Sequence, residues 1–350
     1  MVTSLGTEIA QEPDIRSLGQ QLLNKQVVGH ARLGKGRNSR CYQLQCAGGE
    51  NYVLKFYFQS ASDPRDRLGV EFKTLSFFWS NGVRCVPQAI VMDRVSKSAV
   101  YQYVPGVAVE STDLRRQDID ELVEFLGSVN RLRANAEASE FGPASESCFS
   151  MGGVIASVEN RLARFDQVLS TDKGLKDFLN SGFKPLFADV QKWVRKANIN
   201  FTQELDKNER TLSPSDVGFH NALREGRGKI TFLDFEYFGW DDPAKLIADF
   251  ILHPAMELSD DLKVYYVRKV LRLFPEQEML KERTALAYPL FGLKWCLILL
   301  NEFLREDLQR RHFASRGAYD PAAVREEQLE KARNMQQKIR STYQKCPFLA

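Results

Sequence analysis

Between residues 25 and 103 the apolar positions fall into short runs of β-branched and aromatic residues, each closed by a turn former. Val27-Val28-Gly29, Cys41 to Cys46, Tyr52 to Phe58, and Ala89 to Met92 facing Ala99 to Tyr103 have the length and side-chain type of strands. Gly48-Gly49 lies between two of these runs and suits the positive φ angles of a tight hairpin. Val70 to Trp79 departs from this rhythm. Its Phe72, Leu75 and Trp79 recur at three- and four-residue steps, which predicts a helix crossing the sheet. After Pro105-Gly106 the helical period takes over. Leu114 to Leu132 and Val154 to Leu169 read as helices, with a Gly/Ser/Pro-containing loop from Ala138 to Gly153 between them. Lys173 to Ala197 reads as two helical pieces broken around Ser181-Gly182 and Pro185. Tyr288 to Glu306 reads as a long amphipathic helix and Pro321 to Gln344 as a final solvated one. The pattern predicts an α+β chain: an N-terminal extension over 1–24, a small antiparallel β lobe with one helix over 25–103, and a larger, mostly helical lobe over 104–350.

Composition narrows what such a chain does. The 350 residues are 43% apolar, enough to bury the cores of two lobes. No stretch near eighteen residues is free of charge, and residues 1–24 lack a basic start followed by an apolar block, so neither a membrane span nor a signal peptide is expected. The six cysteines and four histidines are scattered without metal-site spacing, which excludes a structural zinc reading and fits reduced thiols in the cytoplasm. The 48 basic and 45 acidic residues leave a net charge of +3, which by itself argues neither for nor against nucleic acid; neither a nucleic-acid nor a membrane partner is expected.

The chemistry concentrates at Asp216, Asn221 and Asp234, in Ser213-Pro-Ser-Asp216-Val-Gly-Phe-His-Asn221 and Ile230-Thr-Phe-Leu-Asp234-Phe-Glu-Tyr. Asp-x-x-x-x-Asn followed by an apolar strand ending in Asp supplies a carboxylate for a substrate hydroxyl, Asp216, and two oxygen ligands for Mg2+, Asn221 and Asp234. Upstream, Gly34, Gly36 and Ser39 form a glycine-rich turn that lets backbone approach nucleotide phosphates, and Lys55 is a single charge in an apolar strand. Glu71, sixteen residues after Lys55, opens the predicted helix and is aimed back at that lysine. These parts stand in the order of a kinase.

With those residues in place the chain resembles the aminoglycoside phosphotransferase and choline kinase superfamily, the small-molecule branch of the protein-kinase-like fold. The resemblance spans about residues 28 to 253 and includes the hinge-like Val100-Tyr-Gln-Tyr-Val-Pro-Gly106 and the run from Asp234 through Asp242-Pro to Asp249. It implies a bilobal fold and ATP with Mg2+ as cofactors. ATP would dock on the hinge at Gln102, Tyr103 and Val104, Lys55 would hold the phosphates, and Asp216 would orient a small-molecule hydroxyl acceptor. The chain departs from the family pattern at two positions. Ser39 stands for the third loop glycine, and Pro214 for the histidine that braces the catalytic aspartate. Too little chain lies between Asp234 and Asp249 for the peptide platform of a protein kinase.

Several residues have plainer readings. Gly34 and Gly36 also suit an ordinary hairpin, Asp234 a strand-end cap, and Asp241, Asp242 and Asp249 helix capping or loop bracing. His220 is placed as a residue that packs or hydrogen-bonds within the loop rather than a base. Phe235, Tyr237, Phe238 and Trp240 suit a quaternary-ammonium cage, a sugar platform or plain core. The acidic residues of Glu110 to Glu124 suit either an aminoglycoside or a solvated face. The acceptor is therefore an aminoglycoside, an amino alcohol or a sugar-like metabolite. The competing reading is a catalytically silent, nucleotide-binding or regulatory pseudokinase, and the oligomeric state is not given by the pattern.

Overall fold

A computed structural model describes residues 14–34, 39–59, 63–197, 199–226, 228–314 and 320–349. The architecture is α+β and bilobal. In the small lobe five antiparallel strands, β1 (Val27–Leu33), β2 (Ser39–Cys46), β3 (Asn51–Tyr57), β4 (Ala89–Asp93) and β5 (Ser98–Gln102), are ordered β1-β2-β3-β5-β4. Gly49, at φ +88°, turns β2 into β3, and the register then runs from Gln45 opposite Asn51 to Ser39 opposite Tyr57. The twofold alternation of β3 gives the sheet two faces. Leu54 and Phe56 join Tyr42, Leu44 and Val100 beneath helix α1 (Ile15–Leu23), whereas Tyr57 and the sheet residues Ala99 and Tyr101 face helix α2 (Arg67–Ser80) and the large lobe. Residues 15–23, read from sequence as part of an extension, thus form a helix docked on the sheet. Its Gly19 lies so close to Leu44 that a Cβ there would come within 2.8 Å of a methyl group.

Past Gly106 the chain enters strand β6 (Val107–Ala108) and then α3 (Arg116–Arg131), α4 (Met151–Ala163), α5 (Lys173–Asp177) and α6 (Lys184–Val194). Short strands β7 (Thr211–Ser213), β8 (Ala222–Arg224), β9 (Ile230–Phe232) and β10 (Gly239–Asp241) carry the loops of the site, in sheets ordered β6-β8-β9 and β10-β7. Helices α7 (Pro243–Leu252), α8 (Asp260–Leu271), α9 (Leu280–Leu299), α10 (Arg305–Ala314) and α11 (Pro321–Thr342) complete the large lobe. The lobes share one core. The Phe78 ring from α2 meets Phe125 of α3 at 5.9 Å, Phe235 at 5.4 Å and Phe238 at 5.2 Å, all edge-to-face. A second link comes from α10. Arg40 of β2 donates to the Phe313 carbonyl at 2.8 Å and lies 4.0 Å over its ring, and Phe58 meets the same ring at 5.5 Å.

The helical reading needs four corrections. The segment read as Tyr288 to Glu306 begins at Leu280 and is not amphipathic: α9 is buried nearly all round by α4, α6, α7 and α11, so its apolar residues show no single stripe. By length and composition Leu280–Phe303 is apolar enough to cross a membrane, yet 83% of its apolar 18-residue window is buried inside the fold. The final helix is not solvated all round, since Ala332 and Ile339 of α11 dock on α9 at Cys296 and Gly292, and Leu329 is buried beside Gly174 of α5. The Val154 to Leu169 segment stops being helical after Ala163 and continues as turns. The break expected at Ser181-Gly182 is instead one wide π-helical turn, Phe178–Phe183, which carries α5 into α6 without interruption.

Candidate functional site

The site forms where the alternation of β3, the periodicity of α2 and the turn after β9 converge. Lys55 Nζ lies 2.6 Å from Glu71 Oε2 of α2 and 2.8 Å from Asp234 Oδ1. Tyr57, two residues along the same strand face, donates its hydroxyl to Glu71 Oε2 at 2.6 Å, and Glu71 Oε1 accepts the Phe235 N–H at 3.4 Å. Asp234 takes a left-handed backbone at φ +68°, which turns its carboxylate off the end of β9 towards the lysine. Glu236 completes the cluster, 3.9 Å from Lys55 Nζ and 3.5 Å from Arg67 Nε. Its significance was not visible in sequence: alternation along Asp-Phe-Glu gives its direction, but only the fold shows that it is 3% exposed.

Electrostatics follow from this crowding. Burial opposes the charge on Lys55, but Asp234, Glu71 and Glu236 outweigh it and hold its pKa well above the ordinary lysine value. Burial and the neighbouring Asp234 push the Glu71 and Glu236 carboxyls up, Glu236 to about 7. Glu71, Asp234 and Glu236 present one oxygen each within 4.8 Å of one another. Such an oxygen-rich, negatively oversupplied cluster fits a hard divalent cation.

The catalytic-loop candidate Asp216 lies in the turn between β7 and β8. Two imidazoles hold it, His220 Nε2 and His253 Nε2, each 3.2 Å from Oδ1. The rings stack at 3.9 Å with 12° between their planes. The Ala255 N–H donates to His253 Nδ1 at 3.2 Å, so the proton of this neutral ring belongs on Nε2, facing the carboxylate. Burial raises the Asp216 pKa, yet the two imidazole hydrogen bonds outweigh it and keep the group far below the usual carboxylate range. Desolvation in turn lowers the pKa of His253. His253 lies at the end of α7, outside any local motif, and nothing in sequence signals its contact with Asp216.

These contacts supply the bracing that Pro214 cannot. Asn221 Nδ2 donates to the Asp216 carbonyl at 3.1 Å, and the Asn221 carbonyl accepts the Leu233 N–H at 2.8 Å, which sets Asn221 beside Asp234. Ser215, at φ +64°, accepts from Lys245 Nζ at 3.1 Å, and Lys245 bridges Asp241 at 2.8 Å and Asp249 at 3.1 Å. Asp242 caps α7 ahead of Pro243 by accepting the Ala244 N–H at 2.8 Å. Asp249 also accepts from Trp295 Nε1 at 3.1 Å.

The remaining candidates lie along the lobe junction. Gly34 ends β1 at φ +57°, Ser39 opens β2 opposite Tyr57, and Gly36 lies outside the described residues. Gln102 ends β5, its N–H bonded to Gln88 O at 2.9 Å, and Tyr103 and Val104 carry the chain out of the sheet towards Pro105. The aromatic cage does not form. Phe235 and Phe238 are core, Trp240 donates to the Ala138 carbonyl at 3.0 Å, and the Tyr237 ring is faced by Arg65 at 5.6 Å and Arg67 at 5.9 Å. On α3, Asp118 pairs with Arg224, Asp120 with Lys269, and Glu121 accepts the Ile230 N–H, while Glu124 faces solvent.

A profile of the phosphotransferase enzyme family matches residues 30–279. No curated protein matches the chain by sequence. Among solved structures, the choline kinase LicA from Streptococcus pneumoniae is similar over 93% of this chain and 98% of its own at a TM-score of 0.59 and 12% identity. A spectinomycin phosphotransferase in complex with ADP and spectinomycin is similar over 92% and 97% at 0.58 and 11%. A Plasmodium vivax ethanolamine kinase is similar over 87% and 81% at 0.55 and 13%.

Proposed function

The chain belongs to the phosphotransferase enzyme family, and on that premise we propose that it is a cytoplasmic kinase moving the γ-phosphoryl group of ATP to a hydroxyl of a small molecule. The observation that carries the reading is the Lys55 ammonium held between Glu71 and Asp234, with the Asp216 loop tied to the Asp234 turn through Asn221. Lys55 contacts the nucleotide phosphates from the floor of the small lobe, while Gly34, Ser39 and the hinge at Gln102, Tyr103 and Val104 take the rest of the nucleotide. Asn221 and Asp234, with Glu236 behind, would hold Mg2+, which would supply neutralisation of the phosphate charge.

Asp216 positions the acceptor. Both imidazoles use Oδ1, so the other carboxylate oxygen takes the hydroxyl. A carboxylate this well solvated by N–H donors is a weak base towards an alcohol. It orients the hydroxyl in the ground state and receives the proton late, when bonding to phosphorus has made that hydroxyl acidic. Preorganised donors then stabilise the charge at no further cost in reorganisation.

Asp216→Asn tests this assignment. ATP turnover in the presence of Mg2+ is expected to fall on the order of a hundred-fold or more, with ADP affinity retained by calorimetry. Undiminished turnover in the variant would remove Asp216 from its role. Nucleotide binding by the wild-type chain with no turnover on any acceptor would favour the silent pseudokinase instead.

A further inference from the structure

Four lysines are buried among the described residues, Lys55, Lys245, Lys263 and Lys294. Three of them are answered by carboxylates: Lys55 by Glu71 and Asp234, Lys245 by Asp241 and Asp249, and Lys294 by Glu146. Lys263 is not. It projects from the start of α8, 8% exposed, and what faces it is another cation, Lys338 of α11. Both ammonium groups sit over one ring, that of Phe348, with Lys263 Nζ at 5.5 Å and Lys338 Nζ at 5.2 Å from its centroid. The ring is buried and packs edge-on against Tyr288 at 6.1 Å. Among the described residues neither ammonium makes an ion pair or donates to an acceptor; Asp260, one turn earlier on α8, acts on Lys263 from beyond ion-pair distance. Burial, then the Lys338 charge, lower the Lys263 pKa to about 8, and Asp260 offsets this only in part. Lys338 is half-buried and neither Nζ is sealed from solvent, so the pair is open to a ligand.

An aromatic ring attracts each ammonium, but it does not cancel the repulsion between two like charges, and a buried charge without a partner is costly. A negatively charged ligand between them removes both costs. We propose that Lys263 and Lys338 form a site for a phosphate dianion, free or carried as a monoester, apart from the nucleotide cleft. None of the residues assigned to the proposed reaction lies on α8, on α11 or beside Phe348 in the chain, so the site does not depend on the phosphotransferase reading. Ammonium groups suit this class of ligand. Each is a compact charge with three rotatable donors, matched to the oxygens of a tetrahedral ion, whereas the planar face of a carboxylate pairs best with the fixed fork of an arginine. Two unit charges on the protein then meet two on the ligand.

The test is calorimetric titration of the full chain with inorganic phosphate, methyl phosphate and acetate, ADP and Mg2+ being present throughout to keep phosphate out of the cleft. Inorganic phosphate is expected to bind saturably below about 10 mM and roughly ten-fold or more tightly than acetate. Lys263→Met is expected to weaken phosphate about ten-fold or more and to leave ADP affinity, titrated separately, unchanged. Lys338→Gln, at a half-buried position, is the second variant should Lys263→Met not fold, with the same loss expected. Methyl phosphate within about three-fold of the inorganic ion assigns a phosphorylated ligand, and weaker methyl phosphate binding assigns the free ion. Phosphate affinity unchanged in the variants, acetate as tight as phosphate, or no saturable phosphate binding below about 10 mM overturns the proposal.

Discussion

Replacing Glu236 by Gln is expected to make the protein more stable at alkaline pH while impairing what the site does. Glu236 is 3% exposed, 3.9 Å from Lys55 Nζ and 3.5 Å from Arg67 Nε, with Asp234 and Glu71 as near neighbours. Burial, then Asp234, raise its carboxyl from 4.5 to about 7 even after Lys55 draws it down. An acid whose folded pKa exceeds its unfolded value binds protons more readily when folded, so its ionisation works against folding. Stability is unaffected below the unfolded pKa and falls as pH rises through the window from 4.5 to about 7. A shift of that size corresponds to about 3 kcal/mol above the window, taking ~1.4 kcal/mol per unit. Glutamine keeps the shape and removes the ionisation. Urea unfolding without nucleotide or Mg2+ is therefore expected to show Glu236→Gln about 3 kcal/mol more stable than wild type at about pH 8, and within about 1 kcal/mol at about pH 5. Added Mg2+ and ADP should narrow the gap by stabilising wild type more, because the variant has lost a negative charge beside the proposed ligand Asp234. A variant no more stable than wild type at the higher pH would refute the reasoning: the Lys55 and Arg67 contacts would then outweigh the cost of burying the charge.

His253→Ala removes a hydrogen bond to a carboxylate worth about 1.5–3 kcal/mol. Turnover is expected to fall roughly ten- to a hundred-fold, and because an imidazole no longer lowers the Asp216 pKa, the acid limb of the pH–rate profile moves upward; a profile displaced downward would contradict it. Phe78→Ala empties the ring position shared by Phe125, Phe235 and Phe238 and is expected to cost about 3–5 kcal/mol in urea unfolding. A loss below about 1 kcal/mol would mean that this joint core is not continuous.

What was legible in sequence was whatever chemistry repeats locally. Alternation along β3 set Lys55 among apolar neighbours, the helical period of α2 carried Glu71 at one end, and the Asp216 to Asn221 loop was read by its spacing. The Asp-Asp-Pro start of α7 marked a cap, and a cap is what Asp242 makes. Only half of the histidine environment of Asp216 was legible: His220 was read as a group of the loop, whereas His253 arrives from the far end of α7 and no spacing rule links it to the loop. Phe235 and Phe238 suited a ligand cage as well as core, since a ring's fate depends on what surrounds it, here Phe78 and Phe141. The α9 reading failed for a similar reason: a helix enclosed by four others has no outward face to set a period. Lys263 and Lys338 come from α8 and α11, so their meeting over Phe348 belongs to the tertiary structure alone.

The tie between Phe313 and the small lobe bears on how the molecule moves. The lobes already meet along the chain at Pro105, in the core around Phe78 and at the Lys55–Asp234 pair. Phe313 adds an attachment from α10, through Arg40 and Phe58. A change in the angle between the lobes therefore strains the contact of the guanidinium with the ring and the carbonyl as well as the shared core, so α10 acts as a brace on the small lobe rather than as a bystander.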